Sequence, residues 1–285
     1  MFIASKFVAD KPIISFEIFP PKKESGLYAI TNTIAELGAI EPAFISVTCG
    51  AGGSGNASRT TRVASLVKKA GAEPLAHLTC IGATKEQIRE TLADLRKNGI
   101  ENILALRGDF PIDEKGCNQG DFVYAKDLIS EIRLFGGFCI GAAAYPEGHV
   151  ACNALDLDIE YLKQKQDAGA SFLITQLFFD NDYFLRFLER ARSAGITIPI
   201  VPGVMPILSR SQIERMIFLA GASLPSPIIK LLYKYENSPM DLQKAGIEHA
   251  ICQMEMLLSY GVDGLHIYTM NKPFIAKQAM SRLRK

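Results

Sequence analysis

Eight short apolar runs alternate with amphipathic stretches along these 285 residues. The runs are Ile13–Phe19, Phe44–Cys49, Pro74–Cys80, Asn102–Asp109, Phe138–Tyr145, Phe172–Phe179, Ile198–Met205 and Gly264–Thr269. Near-continuous apolar runs of this length read as parallel strands covered on both faces. Helical periodicity follows each of them, over Gly26–Leu37, Thr60–Lys69, Lys85–Lys97, Phe122–Phe135, Leu155–Asp167, Asp182–Ser193, Gln212–Leu219 and Ile275–Arg284. Thr84-Lys85-Glu86-Gln87 has the form of a capping box. Asn98-Gly99, Ala168-Gly169 and Ala194-Gly195 read as helix stops. A further helical stretch, Met240–Tyr260, precedes the last strand, and the Pro- and Ser-rich Ala222–Pro239 reads as a surface excursion.

Nearly every strand ends on a polar side chain. Glu17, Thr48, His77, Arg107-Gly108-Asp109, Tyr145, Gln176 and Tyr268-Thr269 all sit near the C-terminal ends of their runs. In a (β/α)₈ barrel those ends form one rim, where the chemistry sits. A doubly wound sheet would gather its polar groups at one switch point instead. The expectation is therefore an α/β fold, a TIM barrel in a single domain over 1–285, close to the roughly 250 residues typical of that fold.

Composition narrows the function class. Lys+Arg 31 against Asp+Glu 30 leaves a net charge of +1, with no basic field for nucleic acid or an anionic membrane. The cysteines are scattered without a C-x-x-C pair, which suits a reducing compartment and no metal site. No apolar run reaches the ~20 residues of a membrane helix, and Met1–Pro12 lacks the core of a signal peptide. A cytoplasmic enzyme is expected.

Each candidate residue has a plain structural alternative. Glu17, in Ser15-Phe16-Glu17-Ile18-Phe19, is costly in an apolar strand unless it is paired or lies at a solvated mouth. Burial disfavours the charged form of such a carboxyl, which suits a general acid. Thr48 opens a glycine-rich stretch that is not G-x-G-x-x-G, so it makes either a surface loop or a close approach to a flat ligand. His77 is either a satisfied core histidine or a rim ligand, and His149 alone reads as surface. Arg107-Gly108-Asp109 offers a cation, a close backbone approach and an acceptor, suited to a polar heterocycle or a phosphate, or else a plain ion pair. Gln176 needs partners at both ends of its amide, from a ligand or from a core network. Gln212, in Ser209-Arg210-Ser211-Gln212, can be explained as a capping box, and Asp158 and Lys165 as a solvated helix face. No lysine stands at a strand end to form a Schiff base, which disfavours an aldolase.

Six segments taken together carry a resemblance. They are Ser15-Phe16-Glu17-Ile18-Phe19-Pro20-Pro21-Lys22, Ser46-Val47-Thr48-Cys49-Gly50-Ala51-Gly52-Gly53, Leu106-Arg107-Gly108-Asp109, Ala144-Tyr145-Pro146-Glu147-Gly148-His149, Ile174-Thr175-Gln176-Leu177-Phe178-Phe179-Asp180 and Pro202-Gly203-Val204-Met205-Pro206. From Ile13 onward the chain resembles the methylenetetrahydrofolate reductases of the short bacterial type. The resemblance implies a (β/α)₈ flavoprotein that binds FAD, takes hydride from NADH or NADPH, and reduces 5,10-methylenetetrahydrofolate to 5-methyltetrahydrofolate by ping-pong kinetics. It also implies a homo-oligomer, with small molecules as its other partners. Glu17 then matches the general acid, and Asp109 a residue touching both flavin and pterin. Thr48, Cys49, His77, Arg107 and Gly108 match flavin-binding positions, as do Ala125, Tyr145, His149, Asp158 and Lys165. Gln176, Gln212 and Lys272 match substrate contacts. The chain departs from the family at Tyr161 and Gln164, where Asn and Arg are common, at Lys272 in place of Arg, and at Met216 in place of Phe. Two alternatives stay open: a flavin-independent reductase of the same fold, and a folate- or flavin-binding subunit that needs a partner for electrons.

Overall fold

The computed structural model describes residues 1–8, 11–49, 57–108 and 120–283. Nine strand segments form one parallel sheet: β1 (Ile13–Ile18), β2 (Phe44–Val47), β3 (Pro74–Thr79), β4 (Asn102–Leu106), β5 (Cys139–Ala144), β6 (Phe172–Thr175), β7 (Ile200–Val201), β8 (Gly203–Val204) and β9 (Gly264–Tyr268). Neighbours pair in the order β7-β6-β5-β4-β3-β2-β1-β9-β8. β7 and β8 are one extended segment interrupted at Pro202, which has no N–H to give to a ladder. β7 pairs with β6, and β8 pairs with β9. The Pro202 carbonyl still accepts the His266 N–H at 2.9 Å. The nine segments are therefore eight staves, and the ring closes as a (β/α)₈ barrel.

Among the described residues, ten α-helices follow the strands: α1 (Leu27–Gly38), α2 (Ala57–Lys69), α3 (Lys85–Lys97), α4 (Ala125–Phe135), α5 (Leu155–Ala168), α6 (Asn181–Ser193), α7 (Arg210–Ala220), α8 (Ser226–Lys234), α9 (Pro239–Ser259) and α10 (Pro273–Leu283). The Thr84 capping box forms in both directions. The stretch 222–239 differs from expectation, because it holds α8. Pro225 and Pro227 open that helix, and its apolar side packs Ile228 and Leu231 against Leu242 of α9. None of the described helices is long and apolar enough to cross a membrane.

Period-two alternation divides the apolar residues into two cores. One face of each strand packs outward under the helices, as with Phe16, Ile18, Ile45 and Val47. The other face fills the barrel. At its N-terminal end Phe44, Leu75, Leu104, Phe172 and Val201 form a closed apolar plug. A 3₁₀ turn, Ile3–Lys6, seals this end with Ile3 fully buried. Asn102 fixes the seal, its Oδ1 accepting the Ile3 N–H at 2.8 Å and its Nδ2 donating to the Met1 carbonyl at 3.1 Å.

Candidate active site

Two residues further along several strands, the barrel interior changes from apolar to polar. Phe44 is followed by Ser46, Leu75 by His77, and Gly264 by His266 and Tyr268. These side chains converge on Glu17 of β1, which remains about one-fifth exposed. Its Oε2 is 3.4 Å from Ser46 Oγ, 3.6 Å from His266 Nε2 and 3.7 Å from His77 Nε2. Ser46 Oγ is also 2.9 Å from His77 Nε2. Burial holds His77 down to about 4, with His266 adding to the effect and Glu17 opposing it, so the ring beside Glu17 is neutral at neutral pH. The Tyr268 hydroxyl donates to the Thr175 carbonyl at 2.8 Å. Burial raises its pKa well above the ordinary value, and Glu17 and Tyr145 raise it further. Gly203 makes this crossing possible: a Cβ there would lie 2.4 Å from the Thr175 oxygen and 2.7 Å from the Tyr268 hydroxyl oxygen.

Tyr145 links this centre to a second group of residues. The Lys165 ammonium sits 5.7 Å from the Tyr145 ring centroid and donates to the Ala143 carbonyl at 2.8 Å. Burial lowers it to about 8; Asp158 works against that and Arg107 with it. Asp158 is raised by burial, opposed by Lys165 and by a backbone hydrogen bond at His149. The His149 ring meets Tyr145 edge-on at 4.7 Å. Asp158 and Lys165 are thus partly buried residues that face the barrel mouth, whereas the helical pattern alone allowed a solvated face.

The remaining candidates occupy the first positions after their strands. Thr48, Arg107, Gly108, Tyr145 and Gln176 each lie just past a shorter strand than the apolar run suggested. Gly108 has φ +86°, and a Cβ there would press within 3.0 Å of Thr79 and Ile81. Cys49 is buried with its Sγ 3.9 Å from Thr79 Oγ1, and Ala125 is buried at the first turn of α4. The Gln176 Oε1 accepts the Leu177 N–H at 2.9 Å, which fixes the orientation of the carboxamide. Gln212 is used at both ends, accepting from Leu208 N–H at 2.7 Å and donating to the Pro206 carbonyl at 3.2 Å, so it braces the loop before α7. Lys272 is exposed after β9. Asp109 and the glycines from Gly50 to Gly55 lie outside the described residues.

Sequence reasoning passed over His266, Ser46 and Ser15. The available signal was the Gly264-x-His266-x-Tyr268 alternation, which puts His266 on the same face as Tyr268.

A sequence model described as methylenetetrahydrofolate reductase matches residues 3–284. This chain belongs to the methylenetetrahydrofolate reductase family. It is 36% identical over 260 residues to the 5,10-methylenetetrahydrofolate reductase of Pectobacterium carotovorum subsp. carotovorum, covering 91% of this chain and 86% of that protein. Identity is 38% over 275 residues to the probable methylenetetrahydrofolate reductase (NADH) of Oryza sativa subsp. japonica, covering 92% of this chain and 46% of that protein. Among solved structures, an uncharacterized protein from Clostridium thermocellum that binds two copies of 5-methyl-5,6,7,8-tetrahydrofolic acid superposes with a TM-score of 0.64. At 15% identity over 98% of this chain and 97% of that one, the likeness is one of fold. Membership of the family makes this chain an oxidoreductase.

Proposed function

We propose that this family member reduces 5,10-methylenetetrahydrofolate to 5-methyltetrahydrofolate, with NADH or NADPH as hydride donor and FAD as the relay between two half-reactions. The observation that carries the reading is Glu17, a carboxyl at the barrel mouth faced through Oε2 by groups from three other strands. Its Oε1 makes no hydrogen bond among the described residues and is the oxygen available to a substrate.

The residues present fit a flavin dinucleotide. Lys165, with Arg107 near it, places positive charge at the mouth at a cost to folding, as expected where an anionic group is to be received. Tyr145, His149 and Gly108 supply flat faces and a close backbone approach beside those cations. FAD, when bound, supplies two-electron transfer from nicotinamide to the folate. The chain's own work is positioning and proton supply. Gln176, its carbonyl end already occupied, turns its amide donors toward a ligand. Glu17 delivers the proton that opens the folate's five-membered ring and makes its carbon a hydride acceptor. By the family resemblance, Thr48 and Cys49 would border the flavin, Asp109 would serve flavin and pterin in turn, and Gln212 and Lys272 would hold the folate.

An anaerobic spectrum of the purified chain tests this. Absorption at about 450 nm from bound flavin should bleach with nicotinamide and return on adding methylenetetrahydrofolate. A colourless chain that still reduces folate would replace this reading with a flavin-independent reductase. A coloured chain that nicotinamide cannot bleach would make it a subunit that needs a partner. The first alternative is kept open by Tyr161, which stacks on Tyr124 at 6.3 Å, and Gln164, which accepts from Lys126 at 2.7 Å, two uncharged side chains where Asn and Arg are common in the family.

A further inference from the structure

The three groups around Glu17 contact the same oxygen, and their hydrogen bonds can be traced. Ser46 Oγ has one hydrogen and donates it to Glu17 Oε2. In that arrangement it accepts from His77, whose Nε2 lies 2.9 Å away and then carries the hydrogen of that neutral ring. On the other side, His266 Nδ1 is 2.8 Å from Ser15 Oγ, a closer partner for that hydroxyl than the Leu265 carbonyl at 3.2 Å. With Ser15 donating to Nδ1, the His266 hydrogen sits on Nε2. That nitrogen is buried, has no hydrogen-bond partner, and faces Oε2 at 3.6 Å. This distance exceeds a hydrogen bond, and a movement of about half an ångström by the carboxyl would make one.

We propose that His266, together with Ser46, is a positioning residue that reserves Oε2 of Glu17 as an acceptor and thereby places the transferable acid proton on Oε1, toward the substrate. The inference rests on Glu17 being the acid. A protonated carboxyl has one hydrogen, and an oxygen faced by two donors is the poorer place for it. In the transfer, the Glu17 Oε1–H bond breaks, a substrate N–H bond forms, and the charge left on the carboxylate meets the His266 and Ser46 donors at Oε2. These donors favour the anion over the acid, so they lower the barrier to giving the proton up. Among the described residues, the titratable groups facing Glu17 are His77 from β3 and His266 and Tyr268 from β9, with Tyr145 beyond Tyr268.

Two substitutions separate this role from packing. His266→Asn retains a donor or acceptor near Nδ1 for Ser15 but cannot reach Glu17, whereas His266→Gln extends to the position of Nε2. His266→Asn should slow folate reduction on the order of tenfold, the effect of one such hydrogen bond. The pH profile of that rate should move with it, which a loss of packing alone would not do. Reduction by nicotinamide should be unchanged, and His266→Gln should recover most of the lost rate. Nitrogen NMR of the histidine-labelled chain, with four histidines to assign, should show His266 protonated at Nε2. An Asn variant with the parent rate and pH profile, equal loss in both variants, or a proton on Nδ1 would overturn the assignment. Glu17→Gln, measured alongside, distinguishes the two levels: if it keeps folate reduction, the acid itself is wrong; if it alone loses it, only the role of His266 fails.

Discussion

The two ends of the barrel interior are built from the same strands, often from residues two apart, and they do opposite work. At the N-terminal end Phe44, Leu75, Leu104 and Phe172 fill the ring, and the 3₁₀ turn at Ile3–Lys6 seals it. One step along, about 6.6 Å at strand rise, the interior holds the polar side chains of Ser46, His77, Glu17 and His266, of which Glu17 stays about one-fifth exposed. The lower layer buys the stability that lets the upper one keep a carboxyl, two imidazoles and a phenol half-satisfied. Substitutions in the upper layer should therefore cost activity and little stability, and those in the lower layer the reverse.

The largest effect is expected at Glu17. Glu17→Gln should retain flavin and its reduction by nicotinamide while folate reduction falls by about 10²–10⁴, the usual contribution of a positioned acid. Its unfolding free energy should stay within about 1 kcal/mol of the parent. Stopped-flow measurement of each half-reaction and a urea titration check both, and normal folate turnover would remove Glu17 from the chemistry. Next is Phe172→Ala in the plug. Phe172 is fully buried, with rings at 5.7 Å (Phe7) and 6.2 Å (Phe44). Its loss should destabilise the chain by about 3–5 kcal/mol with kcat per folded molecule unchanged. A Phe172→Ala variant that lost activity while keeping its stability would erase the division between the layers.

Gly203→Ala probes the border. Its Cβ would meet the Thr175 carbonyl oxygen, which is backbone, and the Tyr268 hydroxyl, so the bond between those two must give way. Overpacking of this kind costs about 1–3 kcal/mol. Because Tyr268 lies beside Glu17, the change should also raise the folate KM, which steady-state kinetics would detect. An unchanged KM would place Tyr268 with the packing layer.

This layering explains what the sequence revealed. Strand order, strand number and the polar rim were legible because period-two burial and strand-end polarity are local signals. The junction at Pro202 was visible as a proline in an apolar run, but its meaning, one stave serving two neighbours, depends on closure of the ring. His266 was missed because a histidine within Gly264-Leu265-His266-Ile267 looks like a core residue until β1 is placed beside it. The turn at Ile3–Lys6 is too short to show periodicity. Gln212 was legible as a cap, though its carboxamide reaches Leu208 rather than the backbone of Ser209.

The smallest expected effect sharpens the comparison most, because it reverses the usual sign. Lys165 is held at about 8, below its ordinary 10.5, by burial. A lowered lysine pKa means the folded chain binds fewer protons than the unfolded one between those values, so its contribution to stability rises with pH across about 8 to 10.5. Below pH 8 the charged ammonium is a cost, eased by Asp158 but not removed. Lys165→Met should therefore raise the melting temperature at pH 7 by a few degrees, on the order of 1 kcal/mol, and the advantage should fade toward pH 10.5. The same variant should bind flavin dinucleotide more weakly. For the parent, binding near pH 8.5 should draw protons from solution as the ligand's negative charge restores the ammonium, a quantity that calorimetry in two buffers measures directly. A variant that is more stable and binds equally well would show Lys165 to be a packing fault rather than part of the upper layer's design.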